Sequence, residues 1–300
     1  MRKSFLIGLF LLLMFPAIYA QRTDYPLIGA QVFVEPGQTE ADIEQFFHIL
    51  HDADMKVARI RLFGSHMLRP DGTWDFRLYG KAFDLAAKYD VKLFATLFPP
   101  TDELSDVGGF KFPRSKAHLE QIADYIRAMV GYFSRKPALY TWVLQNEPGG
   151  GGPVVRTNLS DEIRSRWEQE NPPYRRGNGY LKANFDDAHF QTYYTMWYLR
   201  WIADQVQQYD TAHYIHVNPH GIFETLAEYD FPAYESFLTS LGVSMHASWH
   251  FTHFERRQYP LGVSFMSDII RAGAGRNPFW ITELQGGGVV ASGSTPLCPT

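Results

Sequence analysis

Residues 138–152 read ALYTWVLQNEPGGGG, an apolar run rich in β-formers that stops at Asn146-Glu147-Pro148 and then four glycines. The run has the length and composition of a buried strand, and the Pro-Gly cluster marks its end. An amide and a carboxylate therefore stand at the rim of a core. Residues 277–288, NPFWITELQGGG, repeat the pattern far along the chain: an apolar strand, the carboxylate Glu283, then glycines. Two carboxylates at the C-terminal ends of two strands are the raw material of a two-carboxylate active site. Taken alone, each has an ordinary explanation, because Asn-Glu-Pro-Gly is also a common turn and strand ends often carry a solvated charge.

Before and between these strands the pattern alternates. Residues 27–34 predict a first strand and 40–54 a helix with Thr39 as its N-cap. In the strand predicted at 56–63, Val57, Arg59 and Arg61 face one way and Ala58, Ile60 and Leu62 the other. Two arginines on one face of a buried strand are costly unless paired. A helix at 78–89, a strand at 91–98 and a helix at 115–133 lead into the strand before Glu147. Beyond it lie a long insertion at 153–183 with a short helix from Ser160, and a helix at 186–208. A strand at 213–218, a mixed segment at 225–240, a strand at 243–249 and a helix at 262–272 precede the strand that ends at Glu283. Strand-helix alternation of this kind specifies a parallel sheet. Seven units at this spacing predict an α/β fold, a (β/α)8 TIM barrel truncated before strand 8, with its active site at the C-terminal strand ends. A doubly wound sheet is the alternative, but it would not bring its fourth and seventh strands together.

The chain of 300 residues, 45% apolar and 20% charged, is long enough to bury a large core as one domain. Its formal net charge of −4 argues against nucleic acid or an anionic membrane as main partner. Arg2 and Lys3, an apolar run at 5–15, Pro16 and Ala20 read as a secretory signal peptide over residues 1–20, with residues 21–300 as the barrel. The expected location is secreted or periplasmic. Cys298 is the single cysteine, so no internal disulfide forms. Oligomerisation is left open.

The stretch 136–150, KPALYTWVLQNEPGG, and the Arg59-Ile60 pair resemble the catalytic domains of family 42 β-galactosidases, within the clan of retaining (β/α)8 glycoside hydrolases. The opening IGAQVFVEPGQT at 28–39 and the TELQGG at 282–287 are similar to the related family 164 β-mannosidases. The resemblance implies Glu147 as general acid/base, Glu283 as nucleophile, Asn146 as a ligand of the sugar 2-hydroxyl, and Arg59, or else Arg61, as the group that keeps Glu283 ionised. It implies a covalent glycosyl-enzyme intermediate, a β-linked oligosaccharide or glycoside as substrate, and no cofactor. A terminal β-galactoside is the first expectation, a β-mannoside the second, and endo-action on β-mannan or β-glucan the third. The acid/base role requires a carboxyl of raised pKa, expected from burial and the neighbouring carboxylate. Strict alternation would send Asn146 and Glu147 to opposite faces, so the strand must break its pleat there.

The histidines are further candidates. His246 and His250 share a face of the sixth strand, Trp249 lies between them, and His220 follows the fifth strand. Imidazoles bond sugar hydroxyls, pack, or ligate zinc; with no H-E-x-x-H motif, sugar contact is the leading reading and a metal-dependent hydrolase a rival. Trp249 is a candidate stacking platform beneath a sugar. A non-catalytic sugar-binding protein is the rival from outside enzymology.

Overall fold

The computed structural model describes residues 27–100, 112–148, 154–171, 182–220, 222–225, 229–246, 251 and 254–284, the side chains of 182–186 and 224–225 excepted. The residues expected to form a signal peptide, and the Trp249 and His250 candidates, lie outside them. Among the described residues no helix is long and apolar enough to cross a membrane.

The elements follow in the order β1 (Gly29–Gln31), α1 (Glu40–Asp52), β2 (Val57–Phe63), α2 (Arg77–Lys88), β3 (Lys92–Phe98), α3 (Lys116–Phe133), β4 (Leu139–Val143), α4 (Asn158–Glu170), α5 (Lys182–Gln207), β5 (Tyr214–His216), α6 (Ile222–Thr225), α7 (Phe231–Tyr234), β6 (Leu241–Met245), α8 (Tyr259–Ala274) and β7 (Phe279–Leu284). Local chemistry sets the helix starts. The Thr39 hydroxyl accepts from the Asp42 N–H at 3.2 Å while Asp42 takes the Thr39 N–H at 2.7 Å, a reciprocal cap on α1. Ser115 caps α3 by accepting from the His118 N–H at 3.1 Å. In the insertion, Thr157 and Ser160 form the same reciprocal cap, so the helix there begins two residues earlier than expected and runs for 13 residues.

Strands β1 to β5 pair in sequence order, all parallel, and β6 pairs with β7 in parallel. Two backbone bonds join the sets: Gly242 N–H to the Val217 carbonyl and Ser244 N–H to the Pro219 carbonyl, each 2.9 Å. Their two-residue spacing is that of a parallel ladder. Ala58, Ile60, Leu62, Leu93, Ala95 and Leu97 point outward and are buried beneath the helices with Phe47, Phe83, Tyr125 and Met129. Opposite faces of the same strands enclose an interior. There the Trp280 ring of β7 lies 5.2 Å from Phe94 of β3, 6.0 Å from Tyr140 of β4 and 5.4 Å from Tyr214 of β5. Contact from the seventh strand back to the third requires the sheet to curl on itself. This is the strand order, parallel pairing and filled interior of a (β/α)8 barrel through its seventh strand. A doubly wound sheet is ruled out, because its end strands do not meet.

Candidate active site

Above the aromatic floor the interior becomes polar. Arg59 of β2 is buried and stands at the centre. Its Nε donates to Thr96 Oγ1 at 2.9 Å and its Nη2 to Asn146 Oδ1 at 2.7 Å, and its Nη1 bonds Glu283 Oε1 across the barrel. Burial, and then repulsion from Arg61, drag the Arg59 guanidinium down to about 9, against the pull of Glu147; it remains cationic at neutral pH. The second arginine does not share this role: among the described residues Arg61 pairs with no carboxylate. The alternative that Arg61 holds Glu283 therefore falls away in favour of Arg59.

Three backbone irregularities aim the carboxylates. In β3–β4 pairing, Leu93 faces Leu139 but Phe94 faces Thr141, so Tyr140 is an extra residue. In β6–β7 pairing, Val243 faces Ile281 but Ser244 faces Glu283, so Thr282 is an extra residue. Without that bulge, alternation from the inward Trp280 would turn Glu283 outward; with it, Thr282 and Glu283 both reach the interior. The third is Glu147 itself, with φ of 50°. A non-glycine residue in this left-handed region costs about 1–3 kcal/mol, and the reversal puts Asn146 and Glu147 on the same side of the rim.

Those turns bring the two carboxylates together. His246 Nε2 lies 3.4 Å from Glu147 Oε1 and 3.3 Å from Glu283 Oε2. An oxygen of each carboxylate and an imidazole nitrogen of His246 all lie within 4.8 Å of one another. Asn146 Nδ2 donates to Glu147 Oε2 at 3.3 Å, which leaves its other hydrogen for a ligand. Burial pushes the Glu147 carboxyl up, but a hydrogen bond from His246, the charge of His220 and a hydrogen bond from Ser244 outweigh it and bring the group down to about 2. The expected raised pKa is thus corrected: in the resting site, His246 and His220, just beyond β6 and β5, and Ser244 of β6 dominate over desolvation.

Asn218 is the residue that sequence reasoning missed. Its Nδ2 donates to Glu283 Oε1 at 3.1 Å and to Ser244 Oγ at 2.9 Å, while its Oδ1 accepts from Arg59 Nη2 and the Glu147 backbone N–H, both at 3.4 Å. It touches both carboxylate-bearing segments. The signal was available: a lone amide at the C-terminal end of an apolar strand, the same signature that singled out Asn146. One layer below, His216 receives no proton at neutral pH, since burial and the Arg59 charge push it down to about 3. It meets Ser240 Oγ at 3.0 Å and Thr282 Oγ1 at 2.7 Å. Gly242 makes room for that contact: a Cβ there would sit 2.0 Å from Thr282 Oγ1 and 2.5 Å from His216 Nε2.

The arrangement supports two chemistries. Two carboxylates on either side of a gap suit acid/base and nucleophilic attack at an acetal carbon. The trio Glu147, His246 and Glu283 could also hold a divalent ion, as one nitrogen and two carboxylate oxygens suit zinc.

No family model matches the sequence, and no curated protein matches it. Solved structures share the fold. A β-galactosidase from the psychrophilic Marinomonas ef1 superposes with a TM-score of 0.71 at 14% identity, over 92% of this chain and 50% of that one. The β-galactosidase of the Antarctic haloarchaeon Halorubrum lacusprofundi gives 0.72 at 18% identity, over 91% and 49%. An endo-1,4-β-D-mannanase of Thermotoga petrophila RKU-1 gives 0.59 at 14%, over 86% and 78%. The chain spans about half the length of the β-galactosidase chains it matches.

Proposed function

We propose that this chain is the catalytic barrel of a retaining exo-β-glycosidase, with terminal β-galactosides as substrate. The observation that carries the reading is the closeness of the carboxylates: oxygens of Glu147 and Glu283 lie within 4.8 Å. Retaining enzymes hold their two carboxyls about 5–5.5 Å apart, whereas inverting enzymes need about 6.5–9.5 Å to admit a water. Glu283 is the nucleophile. Its carboxylate attacks the anomeric carbon as the glycosidic C–O bond breaks, and Arg59 and Asn218 keep it ionised and aimed. Glu147 gives its proton to the departing oxygen. It then takes one from the water that displaces Glu283, returning the sugar with its original anomeric configuration.

A resting pKa of about 2 leaves Glu147 without its proton at neutral pH, so the donor state has to be created by the substrate. A sugar between the carboxylates separates Glu147 from His246 and dries the site; both changes raise its proton affinity, and the adjacent Glu283 charge adds to them. Once Glu283 is esterified that charge is gone, and Glu147 reverts to a base. Asn146, through its remaining Nδ2 hydrogen, and His220 and His246 are the sugar contacts, joined by Trp249 and His250. The charged and then apolar N-terminal sequence supports a secreted or periplasmic protein.

The test is covalent trapping. A 2-deoxy-2-fluoro-β-galactoside with a good leaving group should inactivate the protein and label Glu283 in the peptide mass map. Glu283→Ala should lose all turnover, while Glu147→Ala should keep the first step on activated aryl glycosides. Equal turnover by wild type and Glu283→Ala would sink the reading. The mannanase likeness favours mannosides as the second reading, and the same reagents in the manno series decide between them. Loss of turnover on chelation, restored by zinc, would transfer the site to metal-dependent hydrolysis.

A further inference from the structure

We infer that Arg61 forms an anion-binding subsite in the barrel mouth, and that the sugar bound between the carboxylates carries a carboxylate or sulfate group. The inference rests on the glycosidase reading of Glu147 and Glu283.

Arg59 and Arg61 occupy the same face of β2, opposite Phe94 and Thr96 of β3 in register. Two residues of strand place Arg61 about 6.6 Å further toward the mouth, within reach of a sugar that Glu283 attacks. Arg59 is buried and Arg61 half-buried, and their surroundings differ. Arg59 spends its hydrogens on Glu283, Asn146 and Thr96. Arg61 is gripped between two rings, its guanidinium carbon 5.4 Å from the Phe33 centroid and 5.6 Å from that of Phe98. Aromatic faces attract a cation but accept none of its five hydrogens in the plane. Its Nε is buried with no hydrogen-bond partner among the described residues.

Among the described residues the nearby acids do not pair with it. Glu147 is held by Asn146 and His246, and Glu35 is half-exposed with His66 at 3.9 Å. Both act on Arg61 only through their fields, and burial pulls the guanidinium below its ordinary value in spite of them. A partly desolvated cation with no counter-ion among the described residues is costly, and an incoming oxyanion offsets that cost by bidentate pairing, for which guanidinium is shaped. Phe33 is 50% exposed despite its size, so one face of the clamp is open to a ring of the ligand. A neutral hydroxymethyl group would leave the charge uncompensated.

The experiment compares kcat/KM of the wild-type protein for 4-nitrophenyl β-D-galactopyranoside, its galacturonide and its 6-sulfate, with the matching gluco set beside it. At least one anionic glycoside should exceed its neutral parent tenfold or more. The uronide and sulfate arms identify which oxyanion is meant. In Arg61→Met that ratio should fall roughly ten- to hundredfold, as for loss of hydrogen bonds to a charged group, and Arg61→Lys should lie between. Preference for the neutral parent in every pair, or an unchanged ratio in Arg61→Met, overturns the inference and leaves the glycosidase reading standing. Failure to turn over any glycoside strikes the glycosidase reading instead. Calorimetric titration of the wild type and Arg61→Met with D-galacturonate and D-galactose then decides for Arg61 alone: tenfold tighter acid binding that is lost in Arg61→Met supports it, and equal binding, or a preference kept in Arg61→Met, refutes it.

Discussion

Arg59→Met is the sharpest perturbation of this site, because the side-chain volume is largely kept while every polar contact is lost. The guanidinium bonds Glu283, Asn146 and Thr96, with a longer contact to Asn218. Breaking a buried ion pair from one side costs about 3–5 kcal/mol, since the remaining charge is left without its partner. Hydrogen bonds to charged groups contribute about 1.5–3 kcal/mol each, so the Asn146 and Thr96 bonds place the total at the upper end of that range. Some of this loss is global stability and some falls on the reaction, where Glu283 loses its aim and Asn146 its anchor. At about 1.4 kcal/mol per decade, a catalytic share of 3–4 kcal/mol predicts a fall in kcat/KM of roughly a hundred- to a thousandfold. The assay pairs kcat/KM on 4-nitrophenyl β-galactoside with the rate of covalent labelling of Glu283 and a urea melt. Labelling should slow in parallel with kcat/KM, because both begin with attack by the same oxygen. Arg59→Lys supplies one point donor where three directions are needed, so it should recover only part. If Arg59→Met folds and stays within threefold of wild type in both rates, the central role given to Arg59 is wrong.

Three further outcomes follow from the geometry. Glu147 is depressed from 4.5 to about 2 on folding, so the unfolded chain binds more protons between those values and stability falls as pH drops through that window; on the order of 3 kcal/mol is present above pH 4.5 and lost near pH 2. Urea denaturation of wild type and Glu147→Gln across pH 6 to 2.5 should show the difference between them shrinking toward the acid end, and a constant gap would contradict the assignment. Gly242→Ala drives a methyl into Thr282 and His216; overpacking there should cost about 1–3 kcal/mol and, by shifting the Thr282 bulge, lower kcat more than it raises KM, whereas a melt unchanged from wild type would show that the contact is loose. On the proposed glycosidase reading, zinc titrated into the protein should compete with substrate for Glu147, His246 and Glu283, while EDTA leaves turnover intact; activity that requires added zinc would reverse the roles.

The fold was legible because the outward faces of the early strands and the helix stripes repeat regularly. Ala58, Ile60 and Leu62 alternate with Val57, Arg59 and Arg61, and the structure buries the first set under helices and turns Arg59 and Arg61 inward. Helix starts were readable where a hydroxyl cap exists, as at Thr39 and Ser115. They were misjudged where it lies just upstream, as at Thr157, whose reciprocal bonding with Ser160 lengthens a helix expected to be short. The sixth strand begins at Leu241 rather than Val243. Gly242 belongs inside the strand, where two side chains from neighbouring strands crowd its face.

The site was legible in its parts and opaque in its register, for one physical reason. Residue type at a strand end shows which groups are available: Asn146, Glu147 and Glu283 stood out because two apolar strands both end in a carboxylate followed by glycines. Where they point depends on single-residue irregularities, the extra Tyr140, the extra Thr282 and the left-handed Glu147. No periodic pattern encodes a one-residue slip, and each slip reverses the face of everything beyond it. All three occur on the two strands that carry the carboxylates, where local regularity yields to the geometry of the site. The same blindness applied to charge. Burial and a like neighbour argued for a raised Glu147, but His246 approaches from β6 and His220 from beyond β5, and the short sequence window around Glu147 contains neither. Asn218 was overlooked for a related reason: its value lies in touching Arg59, Glu147, Ser244 and Glu283 at once, a property of four strands converging, not of any one of them.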